Sequence, residues 1–296
     1  QFTSCCPAWV RFAEIYFPEL LPNISSTRSC IAMEAAMIKT YFAEKKGIDP
    51  RNIVSVSVNP CTAKKAETKR EEQNAAARYH NDESLGLDTD ISITTREFIY
   101  WLNDENIDFE SLEDSQFDDL IGMETGASII FGNTGGVMEA ALRTAYFYIT
   151  GKELAALDFY QVRGLAGIKE AKIDIEGTEV RVAVVNQLGN LPEFLEKIKR
   201  SIKAGGEPLY HFVEVMACRG GCVGGGGQPY GCTDEVRKLR AAGLYTDDER
   251  AVIRTSHNNP YIKQVYSEYL EQPNSEKAHR LLHTHYQSRE PYHFND

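Results

Sequence analysis

The stretch Met216-Ala-Cys-Arg-Gly-Gly-Cys-Val-Gly-Gly-Gly-Gly-Gln-Pro-Tyr230 decides how the rest of the sequence is interpreted. Cys218 and Cys222 stand four residues apart, and six glycines lie within residues 220–227. The residues just before, 210–216, alternate as a β-strand does, so a strand is predicted to run directly into the first cysteine. Glycines after a strand let the backbone approach a bound group closely and point N–H groups at it. The stretch therefore predicts a site for a soft, metallic and bulky cofactor rather than a flexible glycine hinge.

The composition is that of an ordinary globular protein and excludes several classes of function. The chain has 296 residues, of which 42% are hydrophobic and 25% charged, values within the usual range. Its formal net charge of −11 argues against nucleic-acid binding, which needs a basic surface. No apolar run reaches the roughly eighteen residues of a membrane-spanning helix, so no membrane span is expected.

The start of the sequence bears on location. The first residue is Gln1 rather than methionine, and the basic and then apolar order of a signal peptide is missing. We therefore expect a chain that starts in mid-domain within a longer protein. We expect a cytoplasmic protein, with the periplasm as the alternative.

Predicted strands alternate with predicted helices, which indicates an α/β protein with mostly parallel sheet. The predicted strands are 53–58, 127–131, 180–186 and 210–216, and the predicted helices are 9–21, 29–43, 94–103, 137–149, 191–203 and much of 234–286.

We expect these elements to form a single domain over residues 1–296, made of two lobes of sheet flanked by helices. One lobe is about 1–125 together with the C-terminal helices, and the other is about 126–230. Ligands of open α/β sheets gather at the carboxyl ends of the strands. Cys61, Cys218 and the glycine turn 132–136 all follow predicted strands, so we expect them to converge on one site between the lobes.

Seven cysteines are present, at positions 5, 6, 30, 61, 218, 222 and 232. Disulfide frameworks belong to small secreted domains, so metal binding or catalysis is favoured in a chain of this length. Four thiolates suit either an iron–sulfur cluster or zinc. Adjacent cysteines rarely both bind one metal, so the spacing predicts four ligands plus one free thiol among positions 5, 6, 61, 218 and 222. That spare thiol is a candidate proton carrier, whereas Cys30 and Cys232 are interpreted as ordinary thiols.

The residue strings go further than the spacing. Thr3-Ser-Cys-Cys-Pro-Ala-Trp9, Asn59-Pro-Cys-Thr-Ala-Lys-Lys-Ala-Glu67 and Glu214–Pro229 closely resemble, in order, the three signature segments of FeFe-hydrogenases. Residues 132–145 and 278–286 are also similar to stretches of that catalytic domain. Three multi-residue motifs in the right order make this resemblance specific, and it covers nearly the whole chain.

The resemblance implies an H-cluster, which is a 4Fe–4S cubane joined through one cysteine sulfur to a diiron unit with CO, cyanide and a bridging azadithiolate. It implies the reversible oxidation of molecular hydrogen to protons and electrons. Carried over, the cubane ligands are Cys6, Cys61, Cys218 and Cys222, with Cys222 as the bridge to the diiron unit. Cys5 is then the thiol that exchanges protons with the azadithiolate amine.

The resemblance also assigns residues around the diiron unit. Lys64 is implied to donate to a cyanide ligand and Ser25 to be the next hydroxyl on the proton path. Met216 and Phe131 are implied to pack against the diiron unit. Asn59 stands beside the same pocket, where the family usually has methionine.

Other departures from the family pattern leave alternatives open. Residues 28–33 lack the proline and glutamine that follow the serine in the family. Arg219, between two ligands, points either at the cluster or to solvent. The glutamates at 67, 71 and 72 are interpreted as a solvated charge run.

The family's glutamates of the proton path lie before Gln1, and no ferredoxin-like cysteine set is present. We therefore expect electrons to pass to ferredoxin or another redox subunit, with a further chain or N-terminal domain carrying iron–sulfur clusters. Two alternatives share the scaffold: a hydrogen sensor that holds the H-cluster, and a non-hydrogenase protein of iron–sulfur assembly.

Overall fold

A computed structural model describes residues 1–118 and 120–291, so residue 119 and the end of the expected 1–296 domain lie outside the described residues. The fold is α/β, with helices around two small sheets. The strands are β1 (Val56–Asn59), β2 (Ile91–Thr94), β3 (Ile168–Ile175), β4 (Thr178–Asn186) and β5 (Phe212–Met216). No helix in the described part of the chain is both long and apolar enough to cross a membrane.

The α-helices follow the amphipathic stretches of the sequence. They are α1 (Pro7–Tyr16), α2 (Cys30–Met37), α3 (Ala43–Lys46), α4 (Ala63–Glu67), α5 (Ala75–His80), α6 (Thr95–Asp104), α7 (Gly126–Ile129), α8 (Gly136–Thr150), α9 (Leu191–Lys203), α10 (Asp234–Arg250), α11 (Pro260–Val265) and α12 (Glu276–Leu282). Helix α6 begins at a capping box, since Thr94 accepts from the N–H of Glu97 while Glu97 accepts from the N–H of Thr94.

The sheet topology places strand ends side by side. β1 and β2 are parallel, β3 and β4 form an antiparallel hairpin, and β4 and β5 are parallel. Asn186 at the end of β4 pairs with Met216 at the end of β5. Among the described residues, two of the three strand pairings are therefore parallel, and the antiparallel one involves β3, which, like β2, was not predicted from the sequence.

The expected strand at 127–131 is wrong. Residues Gly126–Ile129 form a helical turn that continues as a 3-10 turn, Ile130–Gly132. Thr125 starts this helix, because its N–H donates to Ser128 Oγ at 3.2 Å and its carbonyl accepts from the N–H of Ser128. A short apolar run fits a buried helix as well as a buried strand, and here the cap decides in favour of the helix.

The N-terminal residues are tied into the larger sheet. The Thr3 N–H donates to the Val213 carbonyl at 3.0 Å, and Trp9 Nε1–H donates to the Thr3 carbonyl at 3.0 Å. Trp9 is fully buried in a core that includes residues of β4, β5 and α9. Residues 3–6 therefore lie beside β5, the strand that leads into Cys218.

A buried ionic network joins α8 to α10. Arg143 is fully buried and donates to Asp248 and to Glu139, at 2.8 and 2.7 Å between nitrogen and oxygen. Arg163 and Arg254 pair with the same two carboxylates. The guanidinium groups neutralise these carboxylates. The network therefore holds α8 against α10 and is not a cation site.

We predict that Arg143→Met lowers the free energy of unfolding by about 3 kcal/mol, because it removes the buried guanidinium group that joins Glu139 to Asp248 and leaves each carboxylate with fewer cationic partners. Lys152→Met is the control. The Lys152–Glu176 pair is exposed, so its loss is expected to cost below about 1 kcal/mol. Urea unfolding of both variants checks this prediction. Equal losses in the free energy of unfolding would contradict the structural role of the buried network.

Candidate metal centre

Each of the four proposed ligand cysteines stands where a regular element begins or ends. Cys6 is the residue before α1, and Cys61 follows β1 by two positions. Cys218 follows β5 by two positions, and Cys222 starts a short 3-10 turn. Rigid elements therefore fix where these backbones lie, and all described cysteines are free of disulfides.

The four thiols lie close enough to influence one another. Burial raises the pKa of Cys6, and the thiols of Cys61 and Cys218 raise it further, whereas backbone N–H groups lower it. Burial likewise raises the pKa of Cys222 far above its ordinary value, with Cys6 and Cys61 adding to the effect. The expected convergence of remote segments is therefore present in the fold.

The glycine loop, residues 218–227, packs against the loop after β1 so closely that Gly225 and Gly227 have no space for a side chain. A Cβ on Gly225 would lie 2.0 Å from the Pro60 carbonyl oxygen, and one on Gly227 would lie 2.6 Å from the Cys61 nitrogen. The Gly227 N–H donates to that same Pro60 carbonyl at 3.0 Å. Backbone-to-backbone packing thus sets the distance between Cys61 and the Cys218–Cys222 pair.

The turn at 132–136 is the second segment that packs against the glycine loop. The Thr134 N–H donates to the Gly220 carbonyl at 3.0 Å. Gly221 has a φ of 90°, and a Cβ there would lie 2.6 Å from the Thr134 nitrogen and 2.8 Å from Met216 Sδ. The sequence therefore predicted the meeting of these segments correctly, although the turn follows a helix rather than a strand.

A buried carboxylate holds that turn. Glu214 on β5 accepts from the N–H groups of Gly135 and Met138, at 2.6 and 2.7 Å. Burial raises the pKa of Glu214 to about 7, although the two N–H groups and the nearby Lys169 act in the opposite direction. Glu214 thus fastens the start of α8 to the strand that leads into Cys218.

The thiol arrangement fits a cluster of several irons better than one zinc ion. Within the described residues, no three of these sulfurs lie within 4.8 Å of one another. A single tetrahedral zinc with bonds of about 2.3 Å needs sulfurs roughly 3.8 Å apart. Burial and the neighbouring thiols raise the pKa of Cys6, Cys218 and Cys222, so the positive charge of bound iron is what would keep these ligands ionised.

Cys5 and Lys64 lie together beside this site. Lys64 Nζ donates to the Cys5 carbonyl at 3.1 Å and to Glu67 at 2.7 Å, which leaves one of its three donors for another acceptor. Burial lowers the pKa of Lys64, but the Glu67 carboxylate outweighs it and the net shift is upward. The pKa of Cys5 lies well above its ordinary value, through burial and then through the neighbouring thiol of Cys30.

The predicted solvated run of glutamates is wrong for Glu67 and Glu72, whereas Glu71 is exposed as predicted. Glu67 is only 7% exposed and accepts from both Lys64 and Ser29. The side chain of Glu72 is 10% exposed and pairs with Arg70. The spacing from Lys64 to Glu67 is one helical turn, which is the signal that could have indicated this pair.

The remaining predicted residues are placed as follows. Ser25 lies beside the first residues of the chain, its N–H donating to the Phe2 carbonyl at 2.9 Å. Met216 is 3% exposed, and Phe131 is half-buried in the 3-10 turn after α7. Asn59 is 2% exposed and its amide donates to Ser57 and Ser92 across the β1–β2 sheet.

Of the two orientations that the sequence left open for Arg219, the structure has the one toward solvent. It donates to both carboxylate oxygens of Asp234 and to Gln187, and its side chain is 37% exposed. The cation that acts on Cys218 is instead Arg237, which lowers the pKa of that thiol against the larger effect of burial. Nothing in the sequence distinguished the two arginines.

The chain matches two family models. Residues 1–226 match the C-terminal domain of the iron-only hydrogenase large subunit, and residues 234–289 match the iron hydrogenase small subunit. A subunit of the NADP-reducing hydrogenase of Solidesulfovibrio fructosivorans is 46% identical over 97% of this chain, which corresponds to 47% of that protein. The chain thus spans about half the length of this relative.

Further similarity extends to a solved structure and to a different kind of protein. The apo FeFe-hydrogenase HydA1 of Chlamydomonas reinhardtii superposes with a TM-score of 0.79 at 40% identity, covering 97% of this chain and 76% of that one. The cytosolic iron-sulfur assembly component 3 of Rattus norvegicus is 32% identical over 98% of this chain and 59% of its own length.

We predict that Gly225→Ala lowers iron affinity by about tenfold or more, because the new Cβ must push Pro60 and Cys61 away from the other ligands. Gly226→Ala is the matched control, since its Cβ would meet nothing nearer than Thr62 Oγ1 at 3.4 Å. Iron and sulfide bound after anaerobic reconstitution give the readout. Full iron binding by the Gly225 variant would show that this contact does not set the ligand spacing.

Proposed function

The chain belongs to the iron-only hydrogenase family, and we propose that it is the catalytic domain of such an enzyme, interconverting molecular hydrogen with protons and electrons at an H-cluster. The observation that carries the proposal is the meeting of four cysteines from three remote segments, with a fifth thiol and a buried lysine alongside. We propose Cys6, Cys61, Cys218 and Cys222 as the cubane ligands, with Cys222 as the bridge.

The chemistry of hydrogen splitting would come from the cofactor, whose diiron unit binds hydrogen while its amine accepts a proton and its cubane stores an electron. The protein would supply position and a dry surrounding. Met216 and Phe131 would pack against the diiron unit and exclude water. Lys64, fixed by Glu67 and the Cys5 carbonyl, would present its third N–H to an anionic ligand.

Protons would leave through Cys5 and then Ser25. The backbone that carries this thiol is held in place because the carbonyl of Cys5 accepts from Lys64 Nζ. A thiol that remains protonated at neutral pH can pass its proton on and be reprotonated. Ser25 lies on the segment that pairs with Phe2, three residues before Cys5.

We also propose two lobes, about 1–125 and 126–230, with the site between them. The first supplies Cys61 and the second supplies Cys218 and Cys222, while Cys6 precedes α1, whose Trp9 packs in the core of the second lobe. The C-terminal helices contact both, since α12 packs with α2 while α10 binds α8 through Asp248 and Arg143. The expected electron partner, a ferredoxin or another redox subunit, and the cytoplasmic location remain predictions.

One second candidate has a specific observation behind it. The similarity to the rat iron-sulfur assembly component covers nearly the whole chain, so a role in iron–sulfur assembly without hydrogen chemistry is the alternative. The infrared spectrum separates the two, because CO and cyanide bands belong to the diiron unit and would be missing in an assembly protein.

We predict that the matured protein shows these infrared bands and evolves hydrogen from reduced methyl viologen. Cys5→Ser is expected to lower turnover by at least about a hundredfold, since it removes the proton-transfer group while the bands remain. Cys232→Ser, which changes a thiol held by Arg240 instead, is expected to keep full activity. Full activity of the Cys5 variant would exclude Cys5 from the proton path.

A further inference from the structure

Two arginines of helix α10 contact the glycine loop. Arg240 Nη1 donates to the Val223 carbonyl at 2.9 Å, next to Cys222. Arg237 lies one turn earlier on the same helix, against Gly220 and Gly224. A Cβ on Gly224 would stand 2.8 Å from Arg237 Nε, and one on Gly220 would stand 3.3 Å from Arg237 Cδ. Gly220, between the two cysteines, and Gly224, just after Cys222, therefore allow this side chain to lie directly on the backbone of the loop.

The guanidinium of Arg237 is only partly satisfied by protein groups. Its Nη1 donates to Asp234 at 2.8 Å. Its Nε is buried and has no hydrogen-bond partner in the part of the chain that the structure describes. A buried N–H without an acceptor is costly, and an acceptor from a bound group would remove that cost. The side chain is 18% exposed, so its charge is also poorly screened by water.

Arg219 provides an internal comparison because it pairs with the same carboxylate. Its Nε and Nη2 both donate to Asp234, and Nη1 donates to Gln187. It is about twice as exposed as Arg237, with values of 37% and 18%. Arg219 is thus the more exposed of the two and each of its three nitrogens donates a hydrogen bond, whereas the buried Nε–H of Arg237 has no acceptor among the described residues.

We propose that Arg237 raises the reduction potential of the cubane held by Cys218 and Cys222, through its buried charge and through an Nε–H donated to a cluster or ligand sulfur. The proposal rests on the cofactor assigned under the proposed function. Reduction adds one electron to the cubane, so a fixed positive charge close by stabilises the reduced form. Hydrogen bonds to the sulfurs of a cluster act in the same direction. Arg237 is a positioning and tuning residue, since it touches the cluster loop rather than the reacting hydrogen.

The test uses the chain loaded with the cubane alone, by reconstitution with iron and sulfide, so that no diiron unit contributes. An electron paramagnetic resonance titration with dithionite gives the ratio of reduced to oxidised cubane at the midpoint of the wild type. Arg237→Gln is expected to lower this ratio about three- to tenfold, and tenfold corresponds to 59 mV for a one-electron couple. Arg237→Lys is expected to restore most of the ratio, because the charge returns.

Arg219→Gln is the matched control and is expected to leave the ratio unchanged. Equal ratios for the wild type and Arg237→Gln would overturn the inference while leaving the proposed function intact. A wild-type chain that takes up no cubane would overturn the proposed function and this inference together. Arg237→Met serves as the second uncharged variant, so that the result does not depend on cluster uptake by the glutamine variant.

Discussion

The close contact between the glycine loop and the Pro60–Cys61 backbone is the constraint on which the site depends. A side chain at Gly225 or Gly227 would overlap backbone atoms of the facing loop, at 2.0 and 2.6 Å. Only residues without Cβ let these loops meet, and only their meeting brings Cys61 near Cys218 and Cys222. The glycines that stood out in the sequence therefore act chiefly through absent side chains, with the turn at 132–136 closing the other flank.

Buried charges around the site occur with partners that fix the backbone of a ligand segment. Lys64 and Glu67 hold the residue before Cys6, and Glu214 fastens the turn that supports Gly220. A buried carboxylate or ammonium is tolerated only with such partners. These pairs give the ligand segments buried surroundings with fixed charges, and such surroundings tune a redox cluster.

Much of the site could be predicted from the sequence because its information is local. Cysteine spacing and the strand that runs into Cys218 each depend on a few adjacent residues, and the resemblance to FeFe-hydrogenases supplied the ligand assignment. The helix at 126–132 and the strand β3 escaped, since short apolar runs fit either structure and tertiary packing decides. The orientations of Arg219 and Arg237 could not be predicted for a related reason. Both arginines pair with Asp234, and the tertiary packing determines which one contacts the glycine loop.

The central claim is that one iron–sulfur assembly draws its ligands from all three segments. Mössbauer spectroscopy of the chain reconstituted with isotopically enriched iron tests it most directly, with separate alanine variants of Cys6, Cys61, Cys218 and Cys222. The account predicts a 4Fe–4S cubane in the wild type and its loss or conversion in each variant. An unchanged cubane spectrum in Cys61→Ala, which removes the ligand that follows β1, would contradict the account.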